Sequence, residues 1–291
     1  MMAKDTFLNR KITLNLKGEL IDLSKPCVMG ILNLTPDSFY SNSRNGSLDA
    51  ALSRVEACLT EGAMFIDIGA YSSRPGADDV SEDDELKRLI PVISAISQRF
   101  PEAKLSIDTF RARVARESIE AGAHIINDIA AGNMDEAMFD TIASLNVPYI
   151  LMHMQGTPQN MQDNPTYDNI SLEVADYFSD KVSQLRNMGV SDLILDPGFG
   201  FAKSIDHNYQ LLNEMENLNI FGLPLLVGFS RKSMIYKFLG GTPETALNGT
   251  TILNTLSLQK GASILRVHDV KAAVECVALV EKMQESNISL K

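Results

Sequence analysis

Short apolar runs separated by amphipathic stretches recur along the whole chain. VMGIL (28–32), MFIDI (64–68), KLSID (104–108), HIIND (124–128), PYILMHM (148–154), DLILD (192–196), LPLLVGFS (223–230) and SILRVHD (263–269) read as eight buried strands. The segments between them carry helical spacing. Leu48, Ala51, Leu52, Val55, Cys58 and Leu59 fall on one helix face, and Gly62 is placed to end that helix. Eight such alternations predict an α/β fold, a (β/α)8 TIM barrel, in preference to a doubly wound sheet. A doubly wound nucleotide fold needs a glycine-rich turn after its first strand, and the turn here, Leu32-Asn33-Leu34-Thr35-Pro36, has no glycine. Ahead of the barrel, ITLNLKGELIDL (12–23) alternates about Lys17-Gly18 as a β-hairpin placed to plug the barrel bottom. The expectation is one domain over 1–291, with the hairpin at about 12–23 and the barrel at about 27–285. The charge run SEDDELKR (81–88) predicts the start of a solvated helix, its acids favouring the amino-terminal end.

Composition narrows the partners more than the fold. Of 291 residues 45% are hydrophobic and 22% charged, the balance of an ordinary folded chain and not of a disordered one. A net charge of −11, from 26 basic and 37 acidic residues, argues against general nucleic-acid binding but not against a small anion in a local basic pocket. The three cysteines, Cys27, Cys58 and Cys276, are far apart and odd in number, as in a reducing compartment. The polar start MMAKDTFLNR and the lack of any run of 18 apolar residues predict a cytoplasmic protein without membrane contact.

Barrel enzymes hold their chemistry at the carboxyl ends of the strands, and nearly every predicted strand delivers a polar group there. Asn33 follows the first, Asp67 closes the second, Asp108 the third, Asn127 and Asp128 the fourth, and Asp196 the sixth; His153 and Gln155 follow the fifth. The seventh runs into Ser230-Arg231-Lys232, and the eighth carries Arg266 and His268, two apart and on one face. Asp67 and Asp128 taken alone read as caps or loop-fixing groups, the ordinary use of Asp at such places. Asp108 and Asp196 alternate with apolar neighbours so that each carboxylate points inward, where an unpaired charge is costly unless a ligand or cation meets it. GFGFAKS (198–204) resembles a nucleotide loop but has Lys203 at the third glycine position, and it reads as a plain loop. His153, flanked by Met152 and Met154, lacks a second ligand at zinc-like spacing and reads as a buried, hydrogen-bonded histidine.

Inward carboxylates, a carboxamide and a lysine suit a flat heterocycle whose edge offers paired N–H donors beside a carbonyl. Arg266, His268, Asn33 and the Ser230-Arg231 pair form an expected anion site suited to phosphate. With no G-x-S-x-G elbow and no nucleophile paired to a base, direct displacement of a stabilised anion is the favoured chemistry.

MGILNLTPDSF (29–39) and DIGAYSSRPGA (67–77) resemble the two signature segments of the dihydropteroate synthase family. SIDTFRARVA, INDIAAG, LMHMQGTPQNMQ, DPGFGFAKS, GFSRKSMI and RVHD follow in that family's order, so the resemblance spans roughly 12–280. It implies condensation of 6-hydroxymethyl-7,8-dihydropterin diphosphate with 4-aminobenzoate, giving 7,8-dihydropteroate and diphosphate. It also implies a pterin pocket of Asp108, Asn127, Asp196 and Lys232 walled by Met152 and Phe201. The diphosphate site it implies is Asn33, Arg74, Arg266 and His268, with Mg²⁺ held through Asn33. Thr35, Pro36, Phe39, Ser73, Arg74 and Pro75, near Ser230 and Lys232, form the implied aminobenzoate site. Asp108, Lys232, Arg266 and His268 are the implied catalytic set, and a homodimer formed through barrel helices is implied as well. LNGTTILNTLSLQKGA (247–262) is a candidate helix for surface or core. Two loops depart from the family pattern: Ser41 replaces an aspartate, and Tyr71 and Ser73 replace a glutamate and a threonine. The rival readings are a methyltetrahydrofolate-binding methyltransferase barrel and a non-catalytic pterin-binding paralogue, neither of which needs the Arg266-His268 anion site.

Overall fold

The computed structural model describes residues 12–34, 44–71, 80–161 and 165–286. The hairpin pairs β1 (Thr13–Leu16) with β2 (Glu19–Asp22) across Lys17-Gly18. Eight parallel strands follow: β3 (Cys27–Asn33), β4 (Phe65–Gly69), β5 (Lys104–Asp108), β6 (Ile125–Asp128), β7 (Tyr149–Met152), β8 (Leu193–Asp196), β9 (Leu226–Val227) and β10 (Ile264–Val267). They lie in the order β8-β7-β6-β5-β4-β3-β10-β9, and a parallel bridge between Leu195 and Leu225 joins the two ends into a barrel. The α-helices among the described residues are α1 (Arg44–Thr60), α2 (Glu82–Arg99), α3 (Ala112–Glu120), α4 (Met138–Leu145), α5 (Ile170–Asn187), α6 (Ile205–Asn213), α7 (Ser233–Tyr236), α8 (Leu247–Gln259) and α9 (Val270–Ser286).

The two-residue period of the strands makes two cores. Outward residues such as Ile66, Ile68, Leu105, Ile107, Leu195 and Leu265 pack under the helices. Inward residues Met29, Phe65, Ile125, Ile150, Ile194, Leu226 and Ile264 fill the lower barrel, and the hairpin's Leu14, Leu16, Ile21 and Leu23 cover them from below. The hairpin is therefore the plug its alternation predicts. One step up from this floor the inward position is polar on several strands: Asp67 follows Phe65, Asn127 follows Ile125, Asp196 follows Ile194 and Arg266 follows Ile264, while on β5 Asp108 follows the already polar Ser106. An apolar floor beneath a polar layer fixes the barrel's upper mouth as the place for chemistry.

Ser81 caps α2, its side chain accepting from the Asp84 amide, with four acids in the first turn. The helix is less solvated than its charge run predicts, because Glu85 is buried and pairs with Arg111 at 2.6 Å. α8 serves both surface and core: Gly249, Leu253 and Ser257 are buried while Ile252 and Leu256 are exposed. Among the described residues no helix is long and apolar enough to cross a membrane.

Candidate active site

Carboxylates from two neighbouring strands, β4 and β5, converge on one guanidinium from β10. Arg266 donates from Nε to Asp67 Oδ2 at 2.6 Å and from Nη2 to Asp108 Oδ2 at 2.8 Å. Asp67 also accepts from Ser106 Oγ at 2.6 Å and from Asn127 Nδ2 at 3.1 Å. Asp67 is fully buried with both oxygens engaged, whereas the Asp108 side chain keeps 16% of its surface open toward the mouth. Burial pushes the Asp108 carboxyl up to about 7, with Arg266 opposing and Asp67, Glu85 and Asp128 adding to the rise.

Across the mouth stand Asp196 and Lys232. Asp196 accepts from the Gly198 amide at 2.8 Å, and burial raises its carboxyl against the pull of Lys232. The Lys232 ammonium donates to the Phe199 carbonyl and lies 4.6 Å from the centre of the Phe201 ring. Burial brings Lys232 down to about 8, while Asp196 holds it up. Met152 and Phe201 belong to one apolar cluster with Phe110, Ile129, Met154 and Met161, which walls the side of this polar layer. Next to it the Ser230 hydroxyl and His268 Nδ1 are 2.9 Å apart, and the Arg54 guanidinium donates to the His268 carbonyl at 2.5 Å. Asn33 ends β3 in register with Gly69.

Most of the residues expected from sequence are thus brought to one mouth, with two differences. Arg231 does not join an anion site: it forks onto Asp269 with two 2.9 Å bonds and donates to the Pro243 and Glu244 carbonyls, fixing the loop after β9. Asp67 is no loop cap but the buried hub that holds Arg266 and Asn127. Its signal is present in the chain, since Phe65-Ile66-Asp67 repeats the alternation of Ser106-Ile107-Asp108. Asp128, by contrast, faces outward and fixes its loop through the Ala130 and Gly132 amides, both at 2.8 Å, as expected of a loop aspartate. His153 is buried and hydrogen-bonded, also as expected. Thr35, Pro36, Phe39, Ser41, Ser73, Arg74 and Pro75 lie outside the described residues. Tyr71, at the edge of the second loop, packs edge-on against Phe110 and accepts a 3.0 Å bond from Gln159 Nε2.

The chain is similar to known proteins over most of its length. The family described as "Pterin binding enzyme" matches residues 29–268, five-sixths of the chain. The chain belongs to this family. Dihydropteroate synthase of Escherichia coli (strain K12) is 46% identical over 267 residues, covering 91% of this chain and 94% of that protein. The Haemophilus influenzae dihydropteroate synthase is 44% identical over 88% of this chain and 93% of its own length. Among solved structures, Yersinia pestis dihydropteroate synthase in a sulfonamide drug complex superposes with a TM-score of 0.88 at 44% identity, covering 94% of this chain and all of that one. The Xanthomonas albilineans enzyme with 4-aminobenzoic acid gives 0.88 at 38% identity over 94% of this chain and 98% of that one.

Proposed function

We propose that this pterin-binding barrel is a dihydropteroate synthase, joining a dihydropterin methyl diphosphate to 4-aminobenzoate with release of diphosphate. The observation that carries the reading is the Asp67–Arg266–Asp108 array facing Asp196 and Lys232 across one mouth. Asp108 and Asp196 are suited to accept the paired N–H donors of a pterin edge, with Asn127 and Lys232 meeting its carbonyl and ring nitrogens. Arg266 has five N–H donors and the two carboxylates take two of them, leaving a cationic face for the diphosphate beside His268, Ser230 and Asn33.

The bond from the pterin methylene carbon to the diphosphate oxygen breaks, the electron pair leaving with the diphosphate, and the aniline nitrogen forms the new bond to carbon and then loses a proton. Asp108 and Asp196 stabilise the positive charge that develops on the pterin, and Arg266 and His268 neutralise the departing anion. No strong general base is required, in keeping with a site built from ion pairs. Mg²⁺ binds typically through one or two protein oxygens together with substrate phosphates and water, and the Asn33 carboxamide at the mouth fits that sparse donor set. When bound it would supply charge neutralisation at the leaving group. Arg74, Thr35, Pro36, Phe39, Ser73 and Pro75 complete the proposed diphosphate and aminobenzoate contacts.

We also place the protein in the cytoplasm as a homodimer. Supporting the dimer, α8 exposes Ile252 and Leu256, and the exposed Leu279 and Met283 of α9 line a groove that includes Thr251 and Cys276. Asp108→Ala and Arg266→Ala are each expected to abolish nearly all diphosphate release from the pterin substrate. Turnover at the wild-type rate in either variant contradicts the roles assigned.

A further inference from the structure

The loop from Gly198 to Lys203 is wound around a buried cation of its own. The Lys203 side chain turns inward at 4% exposure. Its ammonium donates to the carbonyls of Gly198 at 3.1 Å, Phe201 at 3.0 Å and His153 at 3.3 Å, and it stands 3.0 Å from His153 Nδ1. Burial keeps the His153 ring neutral, bringing it down to about 2, so Nδ1 is the acceptor and Lys203 the donor. Burial also brings Lys203 to about 7, with the Asp196 carboxylate opposing the fall and the Lys232 ammonium adding to it. No carboxylate touches this ammonium among the contacts described; it is held by backbone and one imidazole.

The backbone shows what the cation does. Gly198, Gly200 and Ala202 all have positive φ, at 70°, 84° and 48°, so the loop coils tightly with its carbonyls turned inward. A side chain at Gly198 would put its Cβ 2.0 Å from the His153 carbonyl oxygen. Without a central cation the inward Phe201 carbonyl would lose the ammonium it accepts from, and the Gly198 carbonyl would keep only the Phe201 amide at 3.1 Å. On the other side of the same loop, the Phe199 carbonyl receives the Lys232 ammonium and the Phe201 ring lies over it. Asn208 steadies the outer turn by accepting from the Gly200 amide at 2.6 Å.

We propose that Lys203 is a positioning residue for the reaction: its ammonium shapes the 198–202 loop and thereby sets Phe201 and the Phe199 carbonyl against Lys232 on the pterin side of the mouth. It touches no substrate. The inference rests on the pterin-site reading above. Lys203→Met keeps the stem and removes the donors, whereas Lys203→Gln keeps two of them.

In the full-length protein, Lys203→Met is expected to raise the KM for the pterin diphosphate about tenfold or more, the scale of losing charge-assisted bonds. The KM for 4-aminobenzoate at saturating pterin should stay within about twofold, and Lys203→Gln should fall between Met and wild type. Hydrogen exchange of the 198–202 amides should be faster in both variants than in wild type. A Lys203→Met enzyme that melts at a lower temperature but keeps both KM values within about twofold overturns the proposal. Should that variant not fold, Lys203→Gln decides on the same two readings, and unchanged loop exchange with an unchanged pterin KM overturns it. If the wild type itself gives no aminobenzoate-dependent diphosphate release, the functional reading fails, and loop exchange in Lys203→Gln still decides whether the lysine orders the loop.

Discussion

Arg266 lies between two carboxylates of unequal standing. Asp67 is sealed and fully hydrogen-bonded, so it anchors the guanidinium, while Asp108 is open at the mouth and can exchange that contact for a ligand. Removing a partner from a buried ion pair costs more than the pair contributes, because the remaining charge stays desolvated. Asp67→Ala, which strands Arg266 and Asn127 together, is therefore expected to destabilise the fold by about 3–5 kcal/mol in denaturant titration. A loss below about 1 kcal/mol contradicts the anchor role. The raised carboxyl and the lowered ammonium set a pH window. In the proposed reaction Asp108 would accept from the pterin only when ionised, so kcat/KM for the pterin substrate should rise as pH passes about 7; Lys232 would serve as a cation only when protonated, so it should fall beyond about 8. A profile flat from pH 6 to 9 would oppose this. Asp67 was open to detection in the sequence through its alternation with Phe65, but an aspartate at a strand end is so often a cap that position alone argues for the weaker role.

At the scale of elements, the strands were legible because a barrel strand is buried on both faces and reads as an unbroken apolar run. Their ends were less so. LPLLVGFS yields only Leu226–Val227 as regular strand: Pro224 has no N–H to give, and the Leu225 carbonyl takes both the Ser263 and Ile264 amides as the barrel closes. GFGFAKS reads correctly as a loop, but its winding was not legible, for another reason. A lone lysine in a loop is ordinarily solvated, and nothing in its neighbours announces that three backbone carbonyls turn inward to meet it. Gly198 makes that winding testable without touching a charge. Gly198→Ala imposes a side chain at φ of 70° against the His153 carbonyl, and a cost of at least about 2 kcal/mol is expected in thermal or chemical unfolding. Wild-type stability in that variant would mean the loop is not wound as described.

Over the whole molecule, the net charge of −11 says little about the substrate, since the cations that matter are a few side chains gathered at one end of the barrel. The opposite end is closed by the hairpin, and the α8–α9 flank exposes Ile252, Leu256, Leu279 and Met283. For the proposed dimer, Leu279→Glu on that flank should convert a dimer to a monomer in light scattering; an unchanged mass would place the interface elsewhere. The family, the barrel and the apolar-floor, polar-mouth layering all point to one reaction, and a coupled assay of diphosphate release from the pterin diphosphate, run with and without 4-aminobenzoate, tests it most directly. The account predicts release that depends on aminobenzoate and yields dihydropteroate in equal amount. Pterin binding with no aminobenzoate-dependent release would contradict it.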